Sequence, residues 1–350
     1  MVALVFSCGK SPHSIGMSEP TIRVKDQRGG KYIGKGAYGC SFSPAPRCRS
    51  GKKYQSADGS GVPTLGKIVY QDVSEEFEIS KTVMHLADGP KYFAAPTRSC
   101  EPADPIDDPE ADECAIKHMS GEPTMLIMPY AGEQLVQWAT NMPRLAAHLL
   151  PMMRHLLKGI QLYQTADIVH NDIHMGNVVV DKEGIARFID FGLAFRRGSV
   201  KGFEEAHHNR GFSPRLVWHP PEVQAMRISL GGLRMSESVA EMEEENPELV
   251  TLASQFPERR SGSLLTAMTH FVHREGRASY GAFVREYGFK FDSWRIGLCF
   301  WFMWNDLVAW PGLRFTPLWS HREAVRRILS GLTDFDPRAR MTVEQAHALL

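Results

Sequence analysis

The sequence has no long hydrophobic run, no excess of charge of either sign and few cysteines, and each shortage removes a class of protein. No stretch of about 18 apolar residues occurs, so no membrane-spanning helix is expected. The 40 Lys and Arg residues balance the 40 Asp and Glu. The chain therefore lacks the basic excess with which nucleic-acid binders neutralise phosphates, and no direct nucleic-acid binding is expected. Six cysteines in 350 residues are too few for a disulfide framework. They are expected to be free thiols in a reducing compartment, which points to the cytoplasm. Residues 1–8 are only briefly apolar and lack a basic start, so no signal peptide is expected there. What is present, 43% hydrophobic and 23% charged residues, is ordinary for a chain that buries a globular core.

Periodicity divides the chain into a β-rich first third and a helix-rich remainder. Residues 1–30 are rich in Ser, Gly and Pro and read as a loose leader. Residues 32–42 alternate around a glycine-rich turn, and 65–70 and 124–130 are strand-like runs. Residues 48–64 and the acidic stretch 101–114 read as loops. Residues 74–86 have helical spacing, with Ser74 as N-cap. A long apolar-periodic helix is expected over 145–165, and two short strands at 178–180 and 186–189 flank a Lys182-Glu183-Gly184 turn. Residues 225–290 are mixed and partly acidic, 294–308 form a strongly apolar helix, and no repeat is seen. The order predicts two lobes with a hinge near 129–132.

Four patterns carry chemistry. Gly34-Lys35-Gly36-Ala37-Tyr38-Gly39 is a Gly-x-Gly-x-x-Gly turn, able to approach phosphates closely. Alone it competes evenly with a plain hairpin, and the dinucleotide-binding alternative would need a helix directly afterwards, which is lacking. Lys67 sits in an apolar strand, where lysines usually only extend to solvent. Here it precedes a helix bearing Glu75, Glu76 and Glu78, one of which can hold the ammonium toward phosphates. Glu76 has the inward spacing to Ile79 and Val83, and Glu75 is second choice. In His170-Asn171-Asp172-Ile173-His174-Met175-Gly176-Asn177, Asp172 can accept a hydroxyl proton and Asn177 can hold a metal ion. Asp190-Phe191-Gly192 closes the next strand with a carboxylate suited to Mg²⁺.

The order Gly-rich loop, Lys67, helix Glu, Asp172, Asn177, Asp190 resembles the eukaryotic-type protein kinase family over residues 31–350. The resemblance implies an α+β, bilobal, protein-kinase-like fold: leader 1–30, a β-rich N-lobe over 31–128 with the acidic loop 101–114, and a helical C-lobe over 129–350 with an insertion at 225–285. It implies ATP and Mg²⁺ as cofactors, a protein substrate, and serine/threonine protein kinase activity. By it, Ile33 with residues 34–39 covers the nucleotide, Met128 is the gatekeeper, and Pro129 and Ala131 serve adenine at the hinge. Asp172, Lys67, Glu76 and His174 carry catalysis, and Asn177 and Asp190 hold the metal. His219-Pro220-Pro221-Glu222 resembles the Ala-Pro-Glu box. Asp292-Ser293-Trp294-Arg295-Ile296-Gly297 resembles the start of the large C-lobe helix, and Arg340 in Asp336-Pro337-Arg338-Ala339-Arg340 is expected to pair with Glu222.

Two positions depart from the family. Asn171 replaces the arginine that meets a phosphorylated activation loop, which implies activity independent of loop phosphorylation or control by another route. His174 replaces the lysine of serine/threonine kinases and is similar to aminoglycoside and choline kinases, so a small-molecule phosphotransferase is the alternative, with a pseudokinase scaffold third. Tyr38-Gly39-Cys40-Ser41-Phe42 followed by Pro44 and Cys48 resembles kinases of large nucleocytoplasmic DNA viruses, which implies a viral protein in host cytoplasm or virion. Cys40, Cys48, Cys100 and Cys114 could meet as a metal site but lack paired spacing, and free cysteines are the default. The sequence leaves the oligomeric state open.

Overall fold

The computed structural model describes residues 31–35, 39–49, 63–103, 122–199, 211–257, 261–275 and 280–350. The leader and most of the acidic stretch 101–114 fall outside these residues.

The first part is an antiparallel sheet of β1 (Lys31–Lys35), β2 (Gly39–Ser43), β3 (Thr64–Val69), β4 (Arg98–Cys100) and β5 (Thr124–Pro129), in the order β1-β2-β3-β5-β4. The period-2 alternation of these strands sorts their side chains onto two faces. Met125 and Ile127 of β5 join Ile68, Phe42, Cys40 and Cys48 in one buried cluster. Leu126 and Met128 join Val69 and Val73 in another on the opposite face. Lys67 lies opposite Ser41 on one side and Leu126 on the other, in the middle of the sheet.

Helix α1 (Ser74–His85) packs beside this sheet with Glu76, Ile79, Ser80 and Val83 buried, a stripe of i, i+3, i+4, i+7 spacing. Ser74 is its first helical residue rather than its cap. The Ser74 N–H donates to the Asp72 carboxylate at 2.9 Å, so the capping acceptor comes from two residues upstream. A short helix α2 (Gly89–Tyr92) leads to Phe93, which forms an isolated parallel bridge to Phe188.

Past β5 the chain crosses at Gly132, whose φ of 127° is reached easily only by glycine, and where a Cβ would lie 2.0 Å from the Val180 carbonyl. Then come β6 (Glu133–Gln134), α3 (Leu135–Trp138) and the long α4 (Met142–Gln164), capped by the Asn141 side chain, which accepts from the Arg144 N–H. Four short strands follow: β7 (Ile168–Val169), β8 (Val178–Val180), β9 (Ala186–Phe188) and β10 (Phe195–Arg196). β8 pairs with both β6 and β9, and β7 with β10.

The remaining helices are α5 (Pro221–Leu230), α6 (Met235–Glu245), α7 (Pro247–Gln255), α8 (Leu264–Glu275), α9 (Tyr280–Ala309), α10 (Arg322–Leu332) and α11 (Val343–His347). The apolar helix read at 294–308 is the second half of α9, which is apolar on every side because it runs through the core. Phe291, Trp294, Ile296, Leu298, Cys299, Phe300, Trp301 and Met303 are all buried. The stretch read as mixed from 225 to 290 folds as the rest of α5, then α6, α7, α8 and the start of α9, with Val239, Met242, Leu249, Leu252 and Met268 in the same core. A buried ion pair ties α5 to the end of the chain. Arg340 donates to both oxygens of Glu222, at 2.7 and 2.8 Å, with both side chains fully buried.

One expectation is corrected. Cys48 and Cys100 form a disulfide with Cα atoms 5.8 Å apart, and Cys40 is also disulfide-bonded. Among the described residues Cys299 alone is a free thiol. The partners are 52 residues apart in sequence, and only the folding of β4 beside the segment after β2, where Cys48 bridges to Pro102, brings them together. With these cysteines bonded, cysteine usage does not point to a reducing compartment. No described helix is long and apolar enough to cross a membrane.

Candidate active site

A cleft of about 430 Å³ lies between the sheet and the helical part. Ile33, Gly34, Gly39, Lys67 and Glu76 line one wall, Met128, Pro129, Tyr130 and Ala131 the back, and Asn177 and Asp190 the other wall. Lys35 adjoins the cleft through its backbone strand, while Gly36, Ala37 and Tyr38 lie outside the described residues. Gly39 is required by close packing, since a Cβ there would meet the Ile68 carbonyl at 2.1 Å.

Lys67 is held by two carboxylates from different elements. Its Nζ donates to Glu76 Oε1 at 3.1 Å and to Asp190 Oδ1 at 2.8 Å. Glu76 rather than Glu75 makes this contact, because residue 76 heads the buried stripe of α1 while 75 faces solvent. Burial alone would lower the Lys67 pKa, but the charges of Asp190 and Glu76 outweigh it and hold the ammonium above its usual value. Burial pushes the Glu76 carboxyl up, against the pull of Lys67. Asp190 is moved the other way: burial is overcome by Lys67, and its pKa lies below the ordinary carboxylate value. Asp190 itself takes a left-handed φ of 59° at the end of the strand, which turns its side chain into the cleft.

The acceptor side is built on the segment between β7 and β8. The Asp292 carboxylate of α9 accepts from the His170 N–H, the Asn171 N–H and the Tyr163 hydroxyl, at 2.8, 2.9 and 2.8 Å. The His170 Nε2–H donates to the Ile189 carbonyl, and its ring lies 4.6 Å from that of Phe191. The Asn177 amide donates to the Asp172 carbonyl at 2.9 Å and to Asp172 Oδ2 at 3.0 Å. His174 Nδ1 accepts from the Gly176 N–H, so the neutral ring carries its proton on Nε2, 3.9 Å from Asp172 Oδ2. Burial lowers the His174 pKa and outweighs the opposing pull of Asp172, which keeps the ring neutral near pH 7.

The donors fit a nucleotide with Mg²⁺. Lys67 and the Gly192 N–H both use Oδ1 of Asp190, and Asn177 uses its N–H, so Asp190 Oδ2 and Asn177 Oδ1 remain, both hard oxygens. No group of three or more His, Cys, Asp or Glu able to hold a metal occurs among the described residues. Two protein oxygens are what Mg²⁺ takes when phosphates and water complete its shell.

One contact had no forecast. Arg295 of α9 reaches the same segment, its Nη2 donating to Asn171 Oδ1 at 3.2 Å and its Nη1 lying 3.6 Å from Asp172 Oδ1. An arginine set among the apolar residues of the helix was the available signal.

Residues 114–229 match the protein tyrosine and serine/threonine kinase family. The fold is that of a protein kinase domain. Among similar proteins, the probable cyclin-dependent kinase 9 of Caenorhabditis elegans is 34% identical over 79 residues, covering 22% of this chain and 16% of that protein. Mitogen-activated protein kinase 12 of Danio rerio is 30% identical over 95 residues, covering 27% of this chain and 26% of its own length. The chain thus aligns with about a quarter or less of these relatives. The family match takes in Asp172, Asn177, Asp190 and Glu222; Lys67 and Glu76 lie before it and meet the others only through the fold.

Proposed function

We propose that this chain is an ATP- and Mg²⁺-dependent serine/threonine protein kinase that transfers the γ-phosphoryl group to hydroxyls of protein substrates. The observation that carries this reading is Lys67, held between Glu76 and Asp190 on one side of a cleft whose other side presents Asp172 and Asn177. Bound ATP and Mg²⁺ supply the phosphoryl group and the charge that offsets its oxygens. The protein's part is positioning and electrostatics. Lys67 points a fixed positive charge at the α- and β-phosphates, and Glu76 keeps it from collapsing wholly onto Asp190. Asp190 and Asn177 offer the metal-binding oxygens. Asp172 accepts a hydrogen bond from the acceptor hydroxyl and orients it. Ile33, Gly34 and Gly39, which line the cleft, would cover the nucleotide, and Met128, Pro129 and Ala131 would bound its adenine end.

Support for a protein acceptor comes from the Glu222–Arg340 pair, which fixes the start of α5 just after Trp218, whose ring lies 6.0 Å from that of His174. His174 carries the competing small-molecule reading, since its Nε2–H stands where a γ-phosphate or a small acceptor could meet it. The sequence resemblance around Tyr38, Cys40, Pro44 and Cys48 supports a kinase of a large nucleocytoplasmic DNA virus. Phosphoamino-acid analysis of proteins labelled from ATP tests the proposal. Phosphoserine or phosphothreonine is expected. ATP consumption with no protein label would contradict it and favour a small acceptor.

A further inference from the structure

We propose that Arg295 is a positioning residue for Asp172, an internal cation from α9 that fixes the carboxylate facing the acceptor; this rests on the kinase reading above. Three observations lead there. The first is burial. Arg295 is 1% exposed, and its neighbours on α9, Trp294, Ile296, Leu298 and Cys299, are buried apolar residues. An arginine at such a place costs desolvation, and a buried ion pair is generally no more stabilising than apolar residues of similar volume. Stability alone is therefore a poor reason for its presence.

The second is aim. The carboxylate of Asp292, one turn earlier on the same helix, takes the backbone N–H groups of His170 and Asn171, and the Arg295 guanidinium goes further. It extends past them to Asn171 Oδ1 and Asp172 Oδ1. Helix α9 thus grips the segment twice, by Asp292 on the backbone and by Arg295 on side chains. The two oxygens of Asp172 are then distinguished. Oδ1 faces the buried guanidinium, and Oδ2 takes the Asn177 amide and lies toward His174. A carboxylate held from both sides has lost the rotation that would misdirect an acceptor hydroxyl.

The third is Asn171. Its φ of 61° is left-handed, a conformation that asparagine tolerates better than most residues. Its side chain is fully buried and works in two directions, donating from Nδ2 to the Leu193 carbonyl at 3.2 Å and accepting from Arg295. Asn171 thereby joins the Arg295 fork to the chain just beyond Asp190 and Gly192. The metal-binding segment and the acceptor-orienting carboxylate are set by one shared connection. A planar fork with several donors makes such a two-partner contact; a single ammonium cannot hold the same geometry.

The test is steady-state transfer of labelled phosphate by the full chain with Mg²⁺ATP, comparing wild type, Arg295→Met, Arg295→Lys and Asn171→Ala, with the Asp172→Ala background for coupling. Nucleotide affinity and thermal midpoints are measured alongside. Arg295→Met is expected to lower kcat about tenfold or more with KM for ATP within about twofold, because only orientation of the acceptor side is lost. Arg295→Lys is expected to recover part of that loss. In the Asp172→Ala background, Arg295→Met is expected to change the residual rate by less than about twofold, the signature of acting through Asp172. Unchanged kcat in Arg295→Met, or an equal fall with and without Asp172, overturns the assignment. If Arg295→Met does not fold, Asn171→Ala decides the matter. It keeps the buried charge and removes one partner of the fork, and its loss of kcat is expected to vanish in the Asp172→Ala background; a loss that persists there overturns the assignment. No transfer by wild type would overturn the kinase reading and this role with it, whereas transfer by wild type with unaffected variants would overturn this role alone.

Discussion

The two sides of the cleft solve the same problem with different parts. On the nucleotide side, Lys67 from the central strand of the sheet sits between Glu76 and Asp190. On the acceptor side, Arg295 from the core helix sits between Asn171 and Asp172. Each is a largely buried cation shared by two acceptors, and each reaches at least one of them across more than a hundred residues of sequence: 123 from Lys67 to Asp190 and 124 from Arg295 to Asn171. The difference is what the chemistry allows. A group that must reach phosphates is confined to one place beside the nucleotide. A group that only steadies a carboxylate can come from any element packed behind it. The nucleotide side is accordingly built from residues whose type and spacing announce them; on the acceptor side Asp172 and Asn177 are announced in the same way, while Asn171 and Arg295 behind them are not.

Asp190→Ala should have the largest effect. It removes an oxygen proposed to hold the metal and one of the two partners of Lys67, and transfer is expected to fall by about a thousandfold or more while the circular dichroism spectrum stays native. Retention of near-normal rates would break the comparison, because the nucleotide side would then not be the demanding one.

Glu222→Ala comes next and acts on stability. It strands the fully buried Arg340 guanidinium, which also donates to the Asp334 and Lys290 carbonyls. Chemical denaturation is expected to show a loss of about 3–5 kcal/mol. A loss under about 1 kcal/mol would mean that the start of α5 does not depend on the pair.

Lys67 gives a pH test. Its folded-state pKa is raised above the ordinary value of 10.5, so the stability it contributes is fully present below that value and is lost as pH rises through the folded pKa. The difference in melting temperature between wild type and Lys67→Met should therefore be constant from about pH 7 to 10 and change only at higher pH. A difference that faded between pH 7 and 9 would show that Glu76 and Asp190 do not hold the ammonium charged.

The smallest effect is expected from His174→Gln. The neutral His174 ring donates from Nε2, and a glutamine amide can take over that donation, so a loss within about tenfold in kcat is expected. A much larger loss would make His174 a partner of the transferred group and would move weight to a small acceptor.

How much of this was legible in the sequence follows the same division. Glu76 could be preferred to Glu75 because helical spacing to Ile79 and Val83 settles which way a side chain turns, and α1 buries that stripe. The strands that carry Lys67 and Asp190 could be read from short apolar runs bounded by turns. Arg295 could be seen as a charge in an apolar helix, but its target could not, because helix periodicity gives a face and not the loop packed against it. The Cys48–Cys100 bond was hidden for a similar reason: it depends on which segment flanks the edge strand β4. The cap of α1 was misassigned because Ser74 and Asp72 are both good acceptors, and only the backbone path decides which one faces the open N–H groups. The helices between 235 and 275 look mixed because their buried residues are few per turn, as in α6, where Ser238, Val239 and Met242 alone are buried.

The most direct measurement of the central claim is transfer of labelled phosphate from Mg²⁺ATP to protein substrates by wild type and by Asp172→Ala. The account predicts label on protein with wild type, a loss of about 10²–10⁴-fold with the variant, and nucleotide affinity unchanged between the two. Equal labelling by both would contradict it, because the carboxylate held by Asn177 and Arg295 would then have no part in transfer.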